Sequence, residues 1–84
     1  MKCVEIYTGP LCAFCGFAKA LLDRKGINYK EIFIGDDTMK REEMIKKANG
    51  MKTVPQIFID GKHIGGNDKL QALEREGKLN TILF

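Results

Sequence analysis

The sequence predicts an α/β fold in the order β-α-β-α-β-β-α, a four-stranded mixed sheet flanked by helices. Three observations carry this expectation. Two runs rich in β-branched and aromatic residues, Cys3-Val4-Glu5-Ile6-Tyr7-Thr8 and Tyr29-Lys30-Glu31-Ile32-Phe33-Ile34, bracket a segment with 3.6-residue apolar spacing. Strand, helix, strand with short links makes a βαβ unit, whose strands are parallel with a right-handed crossover. Further on, Gln56-Ile57-Phe58-Ile59 and Lys62-His63-Ile64 are joined by Asp60-Gly61, a strong hairpin signal.

The elements follow in order. The first strand ends at the breaker Gly9-Pro10. The first helix runs from about Phe14 to Lys25, with Phe14, Phe17, Ala18, Leu21 and Leu22 on one face, and stops at Gly26 behind Arg24 and Lys25. Gly35-Asp36-Asp37 closes the second strand. A second helix spans Met39 to about Asn49, capped by Asp37 or Thr38, with a sparse apolar face of Met44, Ile45 and Ala48. Thr53-Val54-Pro55 leads into the hairpin, and Gly65-Gly66 follows it. Asn67 is expected to cap a third helix with Leu70, Leu73 and Ala72 inward, ending at Gly77. Leu79 to Phe84 reads as a short C-terminal turn packed on the domain.

Eighty-four residues with 44% hydrophobic content make one domain with a modest core. The net charge is +3, with basic and acidic residues interleaved, so the pattern argues against nucleic-acid binding and suits small anionic substrates. The stretch Met1-Lys2-Cys3-Val4-Glu5 has no apolar leader and no run reaches a membrane span, so a cytoplasmic, membrane-free monomer is expected. Three cysteines do not make a disulfide-stapled framework, and in the cytoplasm a CxxC is catalytic or metal-binding rather than structural.

That CxxC is Cys12-Ala13-Phe14-Cys15, placed where a strand turns into a helix. The first helical turn has unpaired N–H groups and the positive end of the macrodipole, so it favours a thiolate. Cys12 is therefore expected below the free thiol value of about 8.5, with Cys15 less exposed and less acidic. Residues three apart in a helical turn can close a disulfide. Zinc needs further ligands, and only Cys3 and His63 are on offer; Cys3 lies roughly 16 Å away along the strand. No resident metal is expected. Cys3 reads as a buried strand residue, Phe17 as core, and His63 as a plain exposed or half-buried histidine rather than a base.

The order of elements with a CxxC after the first strand resembles the thioredoxin fold, and the details resemble short bacterial-type dithiol glutaredoxins over essentially the whole chain. Cys12-Ala13-Phe14-Cys15, Thr53-Val54-Pro55, Gly65-Gly66 and Asn67-Asp68 carry the resemblance. It implies a cis-proline at Pro55 facing the CxxC, and a glutathione groove made by Phe14, Thr53, Val54, Pro55, Gly66, Asn67 and Asp68. In that groove the backbone of Val54 would pair with glutathione as with an added strand. The start of the third helix would take the γ-glutamyl carboxylate, and Asp68 the amine. Arg41 or Lys52 would take the glycyl carboxylate.

Three departures from the family pattern stand out. Ala13 and Phe14 replace the usual proline and tyrosine, and Gly9 stands near where the family often has a lysine. The implied activity is dithiol–disulfide exchange on protein disulfides and glutathione mixed disulfides, with Cys12 attacking and Cys15 or glutathione resolving. Glutathione would be the reductant, itself kept reduced by glutathione reductase and NADPH. Two alternatives stay open: a redoxin fed by thioredoxin reductase, and a carrier holding a [2Fe–2S] cluster between two subunits through Cys12 and two glutathiones.

Overall fold

A computed structural model describes residues 2–84. The elements are β1 (Val4–Thr8), α1 (Ala13–Arg24), β2 (Tyr29–Phe33), α2 (Thr38–Lys47), β3 (Gln56–Ile59), β4 (Lys62–Gly65), α3 (Asn67–Arg75) and α4 (Leu79–Leu83). The strands form one mixed sheet in the order β2-β1-β3-β4. β1 runs parallel to β2 and antiparallel to β3, which is antiparallel to β4.

Side-chain alternation along the strands divides the core into two layers. Val4 and Ile6 of β1 and Ile57 and Ile59 of β3 meet Ala18, Leu21 and Leu22 of α1, Leu70 and Leu73 of α3, and Leu79 and Leu83 of α4. On the other face, Tyr7 and Phe58 pack edge to face at 5.6 Å and meet Ile34, Met44 and Ala48. The second layer is thinner because α2 buries little beyond Met44, with Ala48 just past its end. Lys47 of α2 covers part of that face, its ammonium over both rings and its Nζ donating to the Tyr7 hydroxyl at 3.1 Å. That hydrogen bond, more than nearby charge, holds the Lys47 ammonium above the usual lysine value.

The turns follow their local chemistry. The Asp37 side chain accepts from the Lys40 N–H and caps α2. Asp60 and Gly61 both take positive φ, 52° and 79°, as a tight hairpin turn requires.

Several sequence expectations need correction. β1 begins at Val4, and Cys3 is exposed rather than buried, because its register with β3 ends at the Val4–Ile59 pair. Phe17 is 58% exposed and not core. The buried stripe of α1 is Cys15, Ala18, Leu21 and Leu22, and Phe17 lies roughly 110° from its centre at 3.6 residues per turn. Gly66, not Asn67, is the N-cap of α3. Asn67 is already helical, and its Oδ1 accepts from Gln71 Nε2 one turn on. The last segment winds into α4, with Leu79 and Leu83 buried and Phe84 exposed. The expectation at Met1 lies outside the described residues.

Candidate active site

Cys12 occupies the N-cap of α1 with extended backbone, φ −108° and ψ 98°. Its sulfur fills the role that a serine or aspartate oxygen fills in other caps, accepting from the Cys15 N–H at 3.1 Å. Cys12 is half-buried, whereas Cys15, on the buried face of α1, is only 3% exposed. Their Cα atoms are 5.3 Å apart and the sulfurs lie within bonding distance of each other, as a disulfide. One sulfur therefore faces the surface under an unpaired helix terminus, and the other stands behind it.

A second segment reaches this pair from far along the chain. The Val54–Pro55 peptide is cis, and the Val54 carbonyl oxygen lies 3.6 Å from Cys12 Sγ. Pro55 is buried and Val54 half-buried. A groove of about 420 Å³ runs beside them, lined by Phe14, Thr53, Val54, Pro55, Gly66, Asn67 and Asp68. These are the groove residues expected from the sequence. Phe14 is 62% exposed and contributes an aromatic wall, with Phe17 6.3 Å away centre to centre. Gly66 approaches the opposite wall closely: a Cβ there would stand 3.4 Å from the Pro55 carbonyl oxygen. The first turn of α3 adds backbone N–H groups and the Asp68 carboxylate, so this end suits a ligand carrying both an anion and a cation.

Arg41 lies outside the lining. Its guanidinium donates to the Lys52 carbonyl at 3.3 Å, on the approach to Thr53. Among the described residues, no three His, Cys, Asp or Glu side chains gather as a metal site, and no helix is long and apolar enough to cross a membrane.

The strand that delivers Cys12 is braced from below. The buried Thr8 hydroxyl, at the end of β1, donates to Glu31 Oε2 at 2.8 Å, and Lys19 of α1 reaches the same oxygen at 3.1 Å. The Thr8 hydrogen bond, followed by that of Lys19, holds the Glu31 carboxyl below its usual value.

One contact behind the groove was not expected from the sequence, where His63 reads as a plain histidine. Gln56 follows Pro55 and is fully buried; its amide bridges Thr53 and His63. The available signal was a glutamine inside an otherwise apolar strand, since a buried amide must find partners.

Comparison with known proteins agrees across the chain. A family model described as Glutaredoxin matches residues 4–64. Glutaredoxin 3 of Escherichia coli strain K12 is 53% identical over 83 residues, covering 99% of both chains. The solution structure of glutaredoxin from Brucella melitensis superposes with a TM-score of 0.84 at 49% identity, covering 96% of this chain and 87% of that one. The crystal structure of a buckwheat glutaredoxin–glutathione complex superposes with a TM-score of 0.86 at 31% identity, covering 98% of this chain and 76% of that one.

Proposed function

The chain belongs to the glutaredoxin family of thiol–disulfide oxidoreductases, thioredoxin-like fold included, and on that premise we propose that it reduces protein disulfides and glutathione mixed disulfides with glutathione as its reductant. The observation that carries this reading is the approach of the Val54 carbonyl to the Cys12 sulfur at the mouth of a groove ending on the start of α3.

In this reading the Cys12 thiolate, stabilised by the Cys15 N–H and the helix terminus, attacks one sulfur of a substrate disulfide. A Cys12–substrate mixed disulfide forms and the other substrate sulfur leaves as a thiolate. On a protein disulfide, Cys15 attacks the Cys12 sulfur, closing the Cys12–Cys15 disulfide and releasing the second substrate thiol. Two glutathiones then reduce the pair and leave as oxidised glutathione. On a glutathione mixed disulfide, Cys12 takes the glutathionyl group and a second glutathione removes it.

The groove orients this chemistry. Val54 pairs with the cysteinyl backbone of glutathione, Phe14 and Pro55 flank it, and Asn67 and Asp68 hold its γ-glutamyl end. Thr53 supports the Val54 strand. The buckwheat relative, solved as a glutathione complex, supports glutathione as the ligand. Arg41, exposed and tied to Lys52, contributes positive charge at the opposite end.

A [2Fe–2S] cluster is held by four thiolates. At the CxxC one chain offers a single outward thiolate, Cys12, so a cluster there would fit only between two subunits, with two glutathione thiolates completing the set. Ala13, which lacks the proline ring, leaves room for that arrangement. Visible absorbance in freshly purified protein identifies the cluster form.

The deciding experiment presents the oxidised protein separately with glutathione, glutathione reductase and NADPH, and with thioredoxin reductase and NADPH. NADPH consumption in the first mixture alone is expected. Consumption in the second alone removes glutathione as reductant and makes the protein a thioredoxin-reductase-fed redoxin.

A further inference from the structure

The bonding around Gln56 can be assigned without ambiguity from one atom. The Thr53 carbonyl oxygen can only accept, and it lies 3.0 Å from one terminal atom of Gln56, with Thr53 Oγ1 at 3.3 Å from the same atom. That atom is therefore the amide nitrogen, and the amide oxygen faces His63. The oxygen can only accept, so His63 Nε2, 2.7 Å away, carries a proton. In the neutral ring Nδ1 is then an acceptor, and Asn49 Nδ2 stands 3.4 Å from it as the donor. Three assignments follow in sequence from a single backbone carbonyl.

The ring is also held sideways. Its centroid lies 5.2 Å from that of Phe58, which faces it across the β3–β4 pair. Gln56 is fully buried and no buried side-chain polar atom lacks a partner among the described residues. Removing the His63 donor leaves the Gln56 oxygen unpaired in the interior, and the amide then rotates to seek another partner. Its nitrogen leaves Thr53 when it does so.

Thr53 and Val54 form one edge of the groove just before β3, and the next residue, Pro55, is joined directly to Gln56. We propose that His63 is a positioning residue: through its Nε2–H and the Gln56 amide it fixes the Thr53–Val54 edge against which the thiol substrate lies. The substrate part of this proposal rests on the glutathione reading above. His63 touches neither Cys12 nor the groove and moves no proton in the reaction. It acts on binding.

The test combines one spectroscopic and one kinetic measurement. Long-range proton–nitrogen NMR of the unmodified protein reports the imidazole tautomer directly, and a proton on Nε2 is expected; a neutral ring protonated at Nδ1 overturns the proposal. His63→Phe keeps a ring on Phe58 and deletes the donor. For a glutathionylated peptide its KM is expected to rise about 5- to 20-fold with kcat within about twofold, the pattern of lost binding rather than lost chemistry. His63→Gln, which restores an N–H donor, is expected to recover most of the loss. Iodoacetamide alkylation of Cys12 stays at its original rate in both.

An unchanged KM in folded His63→Phe overturns the positioning role. If the unmodified protein does not turn over the glutathionylated peptide, the glutathione reading fails on its own account. The Thr53 and Val54 amide resonances then decide: movement in His63→Phe retains the positioning role, and none rejects it.

Discussion

Gly66→Ala separates the groove from the fold. Gly66 sits at φ −90° and ψ −169°, extended backbone that alanine adopts freely. A Cβ there lies 3.3 Å from Asp68 Oδ1 and 3.4 Å from the Pro55 carbonyl oxygen. Both contacts are tight but neither is a collision, and the exposed Asp68 side chain can turn away. Replacing glycine at a compatible site gains about 0.4–1 kcal/mol by restricting the unfolded chain, partly offset here by the crowding. Stability should therefore stay within about 1 kcal/mol, or about 4–8 °C in Tm.

Binding responds differently. The new methyl stands between the two groups that close this end of the groove and displaces the carboxylate assigned to the ligand amine. A charge-assisted hydrogen bond contributes about 1.5–3 kcal/mol, and solvent access to Asp68 favours the lower figure. That predicts a fall of about tenfold in kcat/KM for a glutathionylated peptide, followed through NADPH consumption with glutathione and glutathione reductase. Cys12 alkylation by iodoacetamide is the control and should not change. Unaltered kcat/KM together with unaltered Tm would mean that the ligand does not pass between Pro55 and Asp68, and the placement on α3 would have to be abandoned.

The remaining predictions concern the thiols and their supports. Cys12→Ser should abolish turnover of every disulfide, whereas Cys15→Ser should keep deglutathionylation and lose reduction of protein disulfides; parallel loss in the two assays excludes the monothiol route. Ala13→Pro should fold normally, because position 13 is the first residue of α1, where proline is well tolerated. It should also deplete any visible-absorbing cluster form, and a cluster yield equal to that of the parent rejects the role given to Ala13. Glu31 has its folded pKa below the ordinary value of 4.5, so its contribution to stability is present above that pH and is lost as pH falls through the folded value. Glu31→Gln should flatten the acid limb of the Tm–pH curve below about pH 4.5, and a curve of unchanged steepness argues against this assignment.

What could be read in advance was whatever depends on short-range chemistry. The βαβ unit, the Asp60-Gly61 hairpin and the stop at Gly26 each rest on neighbouring residues, and all three are present. The groove lining was legible too, because motif residues carried it. Errors arose where tertiary context decided. Phe17 has helical spacing with the core residues, but α1 rolls so that the small Ala18 lies inward and the ring outward. Cys3 extends the apolar run of β1 by one residue more than β3 can pair. The Gln56–His63 contact joins two strands across a hairpin; a glutamine in an apolar strand signals that a partner is needed but not which one. Asn67 is a favourable cap by type, yet Gly66 takes the position because its backbone is already extended.

The two halves of the site become available at different moments in the life of the chain. Cys12 and Cys15 are separated by three positions, so the dithiol exists as soon as that stretch is made. Val54 is 42 positions further along and arrives only when β3 docks beside β1. Closing a loop of that size is the slow, non-local part of assembly. Before that docking the chain has both thiols but lacks the Val54 wall of the groove. Reactivity thus depends on a local helix, and the choice of substrate on a distant strand.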